Sequence, residues 1–82
     1  MSPETLVRMA NQIALAFEPQ GEARAVPGIA AHVNSFWDPR MRTAMAAHLA
    51  AGGAGLHPLA LKALSTGLAP PKDPLPRRPA LR

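Results

Sequence analysis

The chain has 82 residues and a formal net charge of +4. Apolar residues make up 48% of it, and 17 of these are alanine. This length suits one small domain with little apolar area to bury, and the absence of cysteine excludes a disulfide scaffold, a thiolate zinc site and an iron–sulfur cluster. Because no apolar run approaches the ~20 residues of a membrane span and no signal-peptide pattern opens the chain, we expect a cytoplasmic protein without membrane contact, whose small core calls for a partner.

The first predicted helix begins at the N-terminus. Ser2 followed by Pro3 is typical of a helix cap with proline at the first helical position. The apolar residues that follow recur at three- and four-residue spacing, which places them on one face: Leu6, Met9, Ala10, Ile13, Ala14 and Phe17. The segment Glu18-Pro19-Gln20-Gly21 ends this helix, since proline and glycine both disfavour its continuation.

The second predicted helix runs from about Glu22 to about Phe36. Its apolar stripe consists of Val26, Ile29 or Ala30, Val33, and Phe36 or Trp37. Pro27 fits only if it lies in the first turn, because a proline inside a helix costs ~3 kcal/mol.

The third predicted helix starts at Asp38-Pro39, a cap followed by proline, and continues to Ala51 before Gly52-Gly53. Its inward stripe is Met41, Met45, His48 and Leu49. The fourth starts at Leu56-His57-Pro58 and has Leu59, Leu61, Leu64 and Leu68 as its apolar set.

Residues 69–82 differ in composition from the rest of the chain. They hold five of the ten prolines and contribute +3 of the net charge. Proline removes backbone donors and favours an extended chain, so we expect a disordered basic tail. The sequence therefore predicts an all-α fold, a small compact bundle of three to four short helices in residues 1–68, followed by this tail.

No pattern in the sequence indicates catalysis or a metal site. His32, His48 and His57 lie on different predicted elements, and the carboxylates sit at helix ends, where the helix dipole explains them. The glycine-rich segment 52–55 is not followed by the Lys and Ser/Thr of a phosphate-binding loop. We therefore expect a non-catalytic chain that itself holds no metal or cofactor.

The segment Ser35–Arg42 is the candidate for partner binding. It places the only tryptophan beside a helix cap and two arginines in the first helical turn, where each opposes the helix dipole at a cost of about 0.3–1 kcal/mol. Trp and Arg dominate interface hot spots, and methionine adapts to irregular surfaces. The predicted partner-binding residues are Phe36, Trp37, Arg40, Met41, Arg42 and Met45. The alternative, that Trp37 anchors the core and both arginines are solvated, stays open.

Three segments together resemble a known family. They are Leu-Val-Arg-Met-Ala-Asn-Gln-Ile-Ala (6–14), Gly-Ile-Ala-Ala-His-Val-Asn-Ser-Phe-Trp-Asp-Pro-Arg-Met-Arg (28–42) and Gly-Gly-Ala-Gly-Leu-His-Pro-Leu (52–59). In this order and spacing they are similar to the delta subunit of the soluble, molybdenum-containing, NAD-dependent formate dehydrogenases. The resemblance covers about residues 4–65, departs from the family pattern at Pro27, and leaves out the basic tail.

The resemblance implies an accessory role. The alpha subunit of that enzyme is expected to oxidise formate with molybdopterin guanine dinucleotide and iron–sulfur clusters, and the beta and gamma subunits to pass electrons through FMN to NAD. The delta chain would bind the alpha subunit, and through it the others, and support its assembly, stability or cofactor retention. A dissociable chaperone for molybdenum cofactor insertion is the first alternative. A small basic nucleic-acid-binding protein is less favoured, because the excess charge lies in a tail without interleaved aromatic residues.

Overall fold

The computed structural model describes residues 2–68, in which all regular secondary structure is helical. The elements are α1 (Pro3–Phe17), a short 3₁₀ turn (Glu18–Gln20), α2 (Glu22–Phe36), α3 (Pro39–Ala50) and α4 (Pro58–Gly67). The predicted all-α bundle is confirmed. The predicted tail at 69–82 lies outside the described residues. None of the described helices has the length and apolarity needed to cross a membrane.

Side-chain caps fix the beginnings of three helices. The Ser2 hydroxyl accepts a hydrogen bond from the Thr5 backbone N–H at 3.3 Å, and Asp38 Oδ1 accepts one from the Met41 N–H at 2.9 Å. His57 Nδ1 accepts the Leu59 N–H at 3.0 Å in the same way at α4. A proline follows each cap, where its missing N–H removes no helical bond.

The expectation that Pro27 lies in the first turn of its helix is wrong. Helix α2 begins at Glu22, so Pro27 lies in the second turn and inside the helix. Its missing N–H leaves the Ala23 carbonyl without the usual bond four residues along the helix. Both residues are exposed, so water can solvate this carbonyl, which reduces the cost of the interruption.

The core is built from a few large residues and many alanines. Helix α2 packs against α1 and α4, and α1 also packs against α3. The buried residues are Leu6, Ala10, Ala14, Ala25, Ile29, Ala30, Val33, Trp37, Met45, Ala60, Ala63 and Leu64. Because alanine has so short a side chain, helices that meet through it can approach closely.

Glycine allows the closest approach between α2 and α4. A Cβ placed on Gly67 would lie 2.8 Å from the Cβ of Ala30, which is closer than two carbons can pack. The Asn34 side chain crosses the same contact and donates a hydrogen bond from Nδ2 to the Gly67 carbonyl at 2.8 Å. The two helices are therefore held together at their C-terminal ends.

A Schellman turn ends α3. The Gly52 N–H donates to the Leu49 carbonyl at 3.0 Å and the Gly53 N–H to the His48 carbonyl at 2.9 Å. Both glycines have positive φ, of 117° and 64°, a conformation that a residue with a Cβ rarely adopts. The predicted end of the helix at this glycine pair is confirmed.

Asn11 of α1 attaches the following loop to the bundle. Its Nδ2 donates to the Gly55 carbonyl at 2.9 Å, and its Oδ1 accepts from the His57 N–H at 2.7 Å. One side chain thus fixes the loop that positions the start of α4.

We expect Gly67→Ala to lower the free energy of unfolding by about 1–2 kcal/mol, because the added methyl group would force α2 and α4 apart. Ser65→Ala, an exposed substitution in the same helix, should change it by less than about 0.5 kcal/mol. Denaturant unfolding of the full chain measures both. Equal stability of the two variants would contradict the close contact.

Candidate partner-binding surface

The structure divides the predicted partner-binding residues between the core and the surface. Trp37 is 4% exposed and Met45 is fully buried, so both support the fold and neither presents a free surface. Phe36 is 74% exposed and Arg40 is also exposed, whereas Met41 is half-buried. Of the two alternatives for Trp37, partner binding and anchoring of the core, the structure supports anchoring of the core.

Arg42 joins α2 to α3. Its Nη1 atom donates to the carbonyl of Asn34 at 3.1 Å and to that of Trp37 at 3.2 Å. Both carbonyls lie at the C-terminal end of α2, where the helix dipole favours a cation. The positive charge of Arg42 opposes the dipole of α3 but stabilises the end of α2. Arg42 is therefore not simply solvated.

A shallow apolar groove of about 410 Å³ lies beside Phe36, between α1 and the C-terminal half of α2. The phenyl ring packs against the His32 ring at a centroid distance of 4.7 Å. We call this the Phe36 groove; its lining residues are Met9, Gln12, Ile13, Ala16, His32, Phe36, Trp37 and Met41.

A smaller depression of about 290 Å³ adjoins the Phe36 groove. We call it the Arg40 depression; it is lined by Leu6, Asp38, Arg40, Met41 and Ala44. Met41 borders both hollows, so they share a wall near the junction of α2 and α3. Within residues 2–68, the Arg40 guanidinium has no ion-pair or hydrogen-bond partner.

A second groove, of about 540 Å³, lies between α1 and the loop after α3. We call it the Leu15 groove, after a side chain that is 56% exposed; its lining is Pro3, Glu4, Val7, Arg8, Asn11, Gln12, Leu15, His48, Ala54 and Gly55. Sequence reasoning missed it, because it combines a helix with a loop some 40 residues further along the chain, joined through Asn11.

The histidines have local structural partners. His48 Nε2 lies 2.8 Å from the Ala54 carbonyl, and His57 caps α4 while its Nε2 lies 3.5 Å from Glu18 Oε2. In the part of the chain that the structure describes, no three ligand-type side chains converge on a point.

We expect Arg42→Met to lower the free energy of unfolding by about 1.5–3 kcal/mol, because it removes a charged donor from two helix-end carbonyls while keeping most of the apolar stem. The matched control is Arg40→Met, two residues earlier on the same helix. It should change stability by less than about 0.5 kcal/mol, since it is exposed and unpaired in the described chain. Thermal or denaturant unfolding measures the stability of both variants. Equal free energies of unfolding for Arg42→Met and Arg40→Met would show that the Arg42 hydrogen bonds do not stabilise the fold.

Comparison with known proteins gives one result. A family model described as NADH-dependent formate dehydrogenase delta subunit FdsD matches residues 5–64. No curated protein and no solved structure is similar enough to match the chain. The matched range contains all six predicted partner-binding residues.

Proposed function

Because the chain belongs to the formate dehydrogenase delta subunit family, we propose that it docks on the catalytic alpha subunit of an NADH-dependent formate dehydrogenase and supports its assembly, stability or cofactor retention. In this proposal the chain is a non-catalytic, cytoplasmic component of an oxidoreductase complex. The beta and gamma subunits are reached through the alpha subunit. Nucleic acid and membrane have no part in it.

The exposed Phe36 ring above an apolar groove is the observation that carries the docking proposal. A phenylalanine that is 74% exposed beside half-buried Met41 leaves apolar area in water, and an interface would remove that area from it. Aromatic residues are enriched in the buried centres of protein interfaces relative to the rest of a protein surface. Arg40 next to the groove adds a cation of the type that is enriched at interface hot spots.

The chain's own residues do not suit an iron–sulfur cluster, one of the redox groups expected in the complex. Without cysteine it cannot supply thiolate ligands to an iron–sulfur cluster, and residues 2–68 bring no three metal ligands together. In this proposal, molybdopterin guanine dinucleotide, iron–sulfur clusters, FMN and NAD belong to the other subunits. The delta chain acts on them only through the alpha subunit.

A dissociable chaperone for molybdenum cofactor insertion would need the same kind of docking face. The two roles differ in how long the contact lasts. A permanent subunit co-purifies with active enzyme in a fixed ratio through gel filtration, whereas a chaperone is enriched on cofactor-free alpha subunit and is lost from mature enzyme. Purification of the complex through a tag on the alpha subunit, with the delta chain quantified at each step, decides between them. The nucleic-acid alternative predicts instead a steeply salt-dependent affinity for DNA or RNA.

We expect the isolated chain to be marginally stable and to gain stability from the alpha subunit. Its core consists largely of alanine, and a partner that binds only the folded form adds RT ln(1 + [L]/Kd), about 2.7 kcal/mol at a hundredfold excess over Kd. Protection of the delta chain against proteolysis at rising temperature, with and without purified alpha subunit, measures this gain. Bovine serum albumin at the same concentration is the control, and an unchanged melting profile with alpha subunit would contradict docking.

A further inference from the structure

We propose that the surface formed by the Phe36 groove and the Arg40 depression binds an acidic, apolar segment of the alpha subunit, in which a bulky apolar side chain and a carboxylate lie next to each other. The apolar side chain would occupy the groove, and the carboxylate would pair with Arg40. This inference rests on the proposed docking on the alpha subunit and specifies its chemistry.

The shape of the surface determines the arrangement of the two groups. The groove beside Phe36 has about 410 Å³, enough for a large side chain, and its lining is apolar apart from Gln12 and His32. The Arg40 depression adjoins it across a single side chain, that of Met41. A ligand that fills both must therefore carry its apolar and its polar group close together, as neighbouring side chains of one segment do.

The charges at this surface favour a carboxylate. Arg40 is exposed and forms no ion pair within residues 2–68. The carboxylate of Asp38, which also lines the depression, already accepts the Met41 N–H, and Arg42 Nη1 donates to two carbonyls of the α2 end. The N-terminal end of α3 adds positive potential to that of Arg40. An arginine can bind a carboxylate through two parallel hydrogen bonds, which are stronger than neutral ones.

The Leu15 groove fits this occupant less well. Glu4 and Arg8 both line it and lie four residues apart on α1, so a carboxylate that binds Arg8 would compete with Glu4. The Asp38 carboxylate beside Arg40, in contrast, already accepts the Met41 N–H. Leu15 is also less exposed than Phe36, at 56% against 74%. A substitution in the Leu15 groove is therefore a suitable control for substitutions in the Phe36 groove.

The test is the affinity of the full-length chain for formate dehydrogenase complex prepared without its delta subunit, measured by biolayer interferometry with the complex immobilised. The variants are Phe36→Ala, Arg40→Ala and Arg40→Glu, with Leu15→Ala and Arg24→Ala as exposed controls. Circular dichroism and thermal unfolding of each variant establish that the helices are intact. All the substituted side chains are exposed, so the fold should tolerate them.

We expect Phe36→Ala and Arg40→Ala each to weaken binding by about 30-fold, the size of the usual hot-spot threshold, and Arg40→Glu to weaken it further. The two controls should stay within about threefold of wild type. Raising the salt concentration should weaken wild-type binding more than that of Arg40→Ala, because the screened ion pair is absent from the variant.

Three outcomes would overturn the inference in different ways. Loss of binding in Leu15→Ala, with Phe36→Ala unaffected, would place the docking site in the Leu15 groove and leave the proposed function intact. Unchanged or stronger binding by Arg40→Glu would exclude an acidic occupant. Failure of the wild-type chain to bind the delta-free complex would contradict the proposed function itself.

Discussion

Small side chains set the spacing of the helices in this bundle, and most other features follow from that spacing. Alanines occupy much of the interface between α1, α2 and α4, and at Gly67 the backbone of α4 comes so close to Ala30 that there is no room for a Cβ. Such a core buries little apolar area per residue, so it stabilises the chain only modestly. Hydrogen bonds from Asn11 and Asn34, each linking segments far apart in sequence, supplement it.

The junction between α2 and α3 combines rigidity with exposure. Trp37 enters the core there, the Asp38 carboxylate caps α3, and Arg42 binds the last carbonyls of α2. These contacts hold the backbone on both sides of Phe36, whose ring nevertheless stays in solvent. An exposed aromatic side chain on a fixed backbone loses little conformational entropy on binding, which favours its use in an interface. The rigid junction and the candidate partner-binding surface therefore lie at the same place in the fold.

Membership of the delta subunit family and the geometry of the surface constrain function in different ways. The family match supplies the enzyme to which the chain belongs. The surface bears on the proposed docking, because the described residues present apolar grooves and an arginine without an ion-pair partner among them.

The sequence by itself determined the helical segments, their starts and the family. Ser2, Asp38 and the glycine pair at 52–53 act through hydrogen bonds and backbone conformations within a few residues, so local rules were sufficient to predict them. Pro27 was misjudged because the cost of a helical proline depends on whether water reaches the carbonyl it leaves unpaired. Only the tertiary structure decided between Phe36 and Trp37, since both positions fit the helical spacing from Val33 and it is the packing of the other helices that buries Trp37 and leaves Phe36 exposed. The role of Arg42 and the two grooves also depended on the tertiary structure. The carbonyls that Arg42 binds and the residues that line each groove come together only when separate segments of the chain pack.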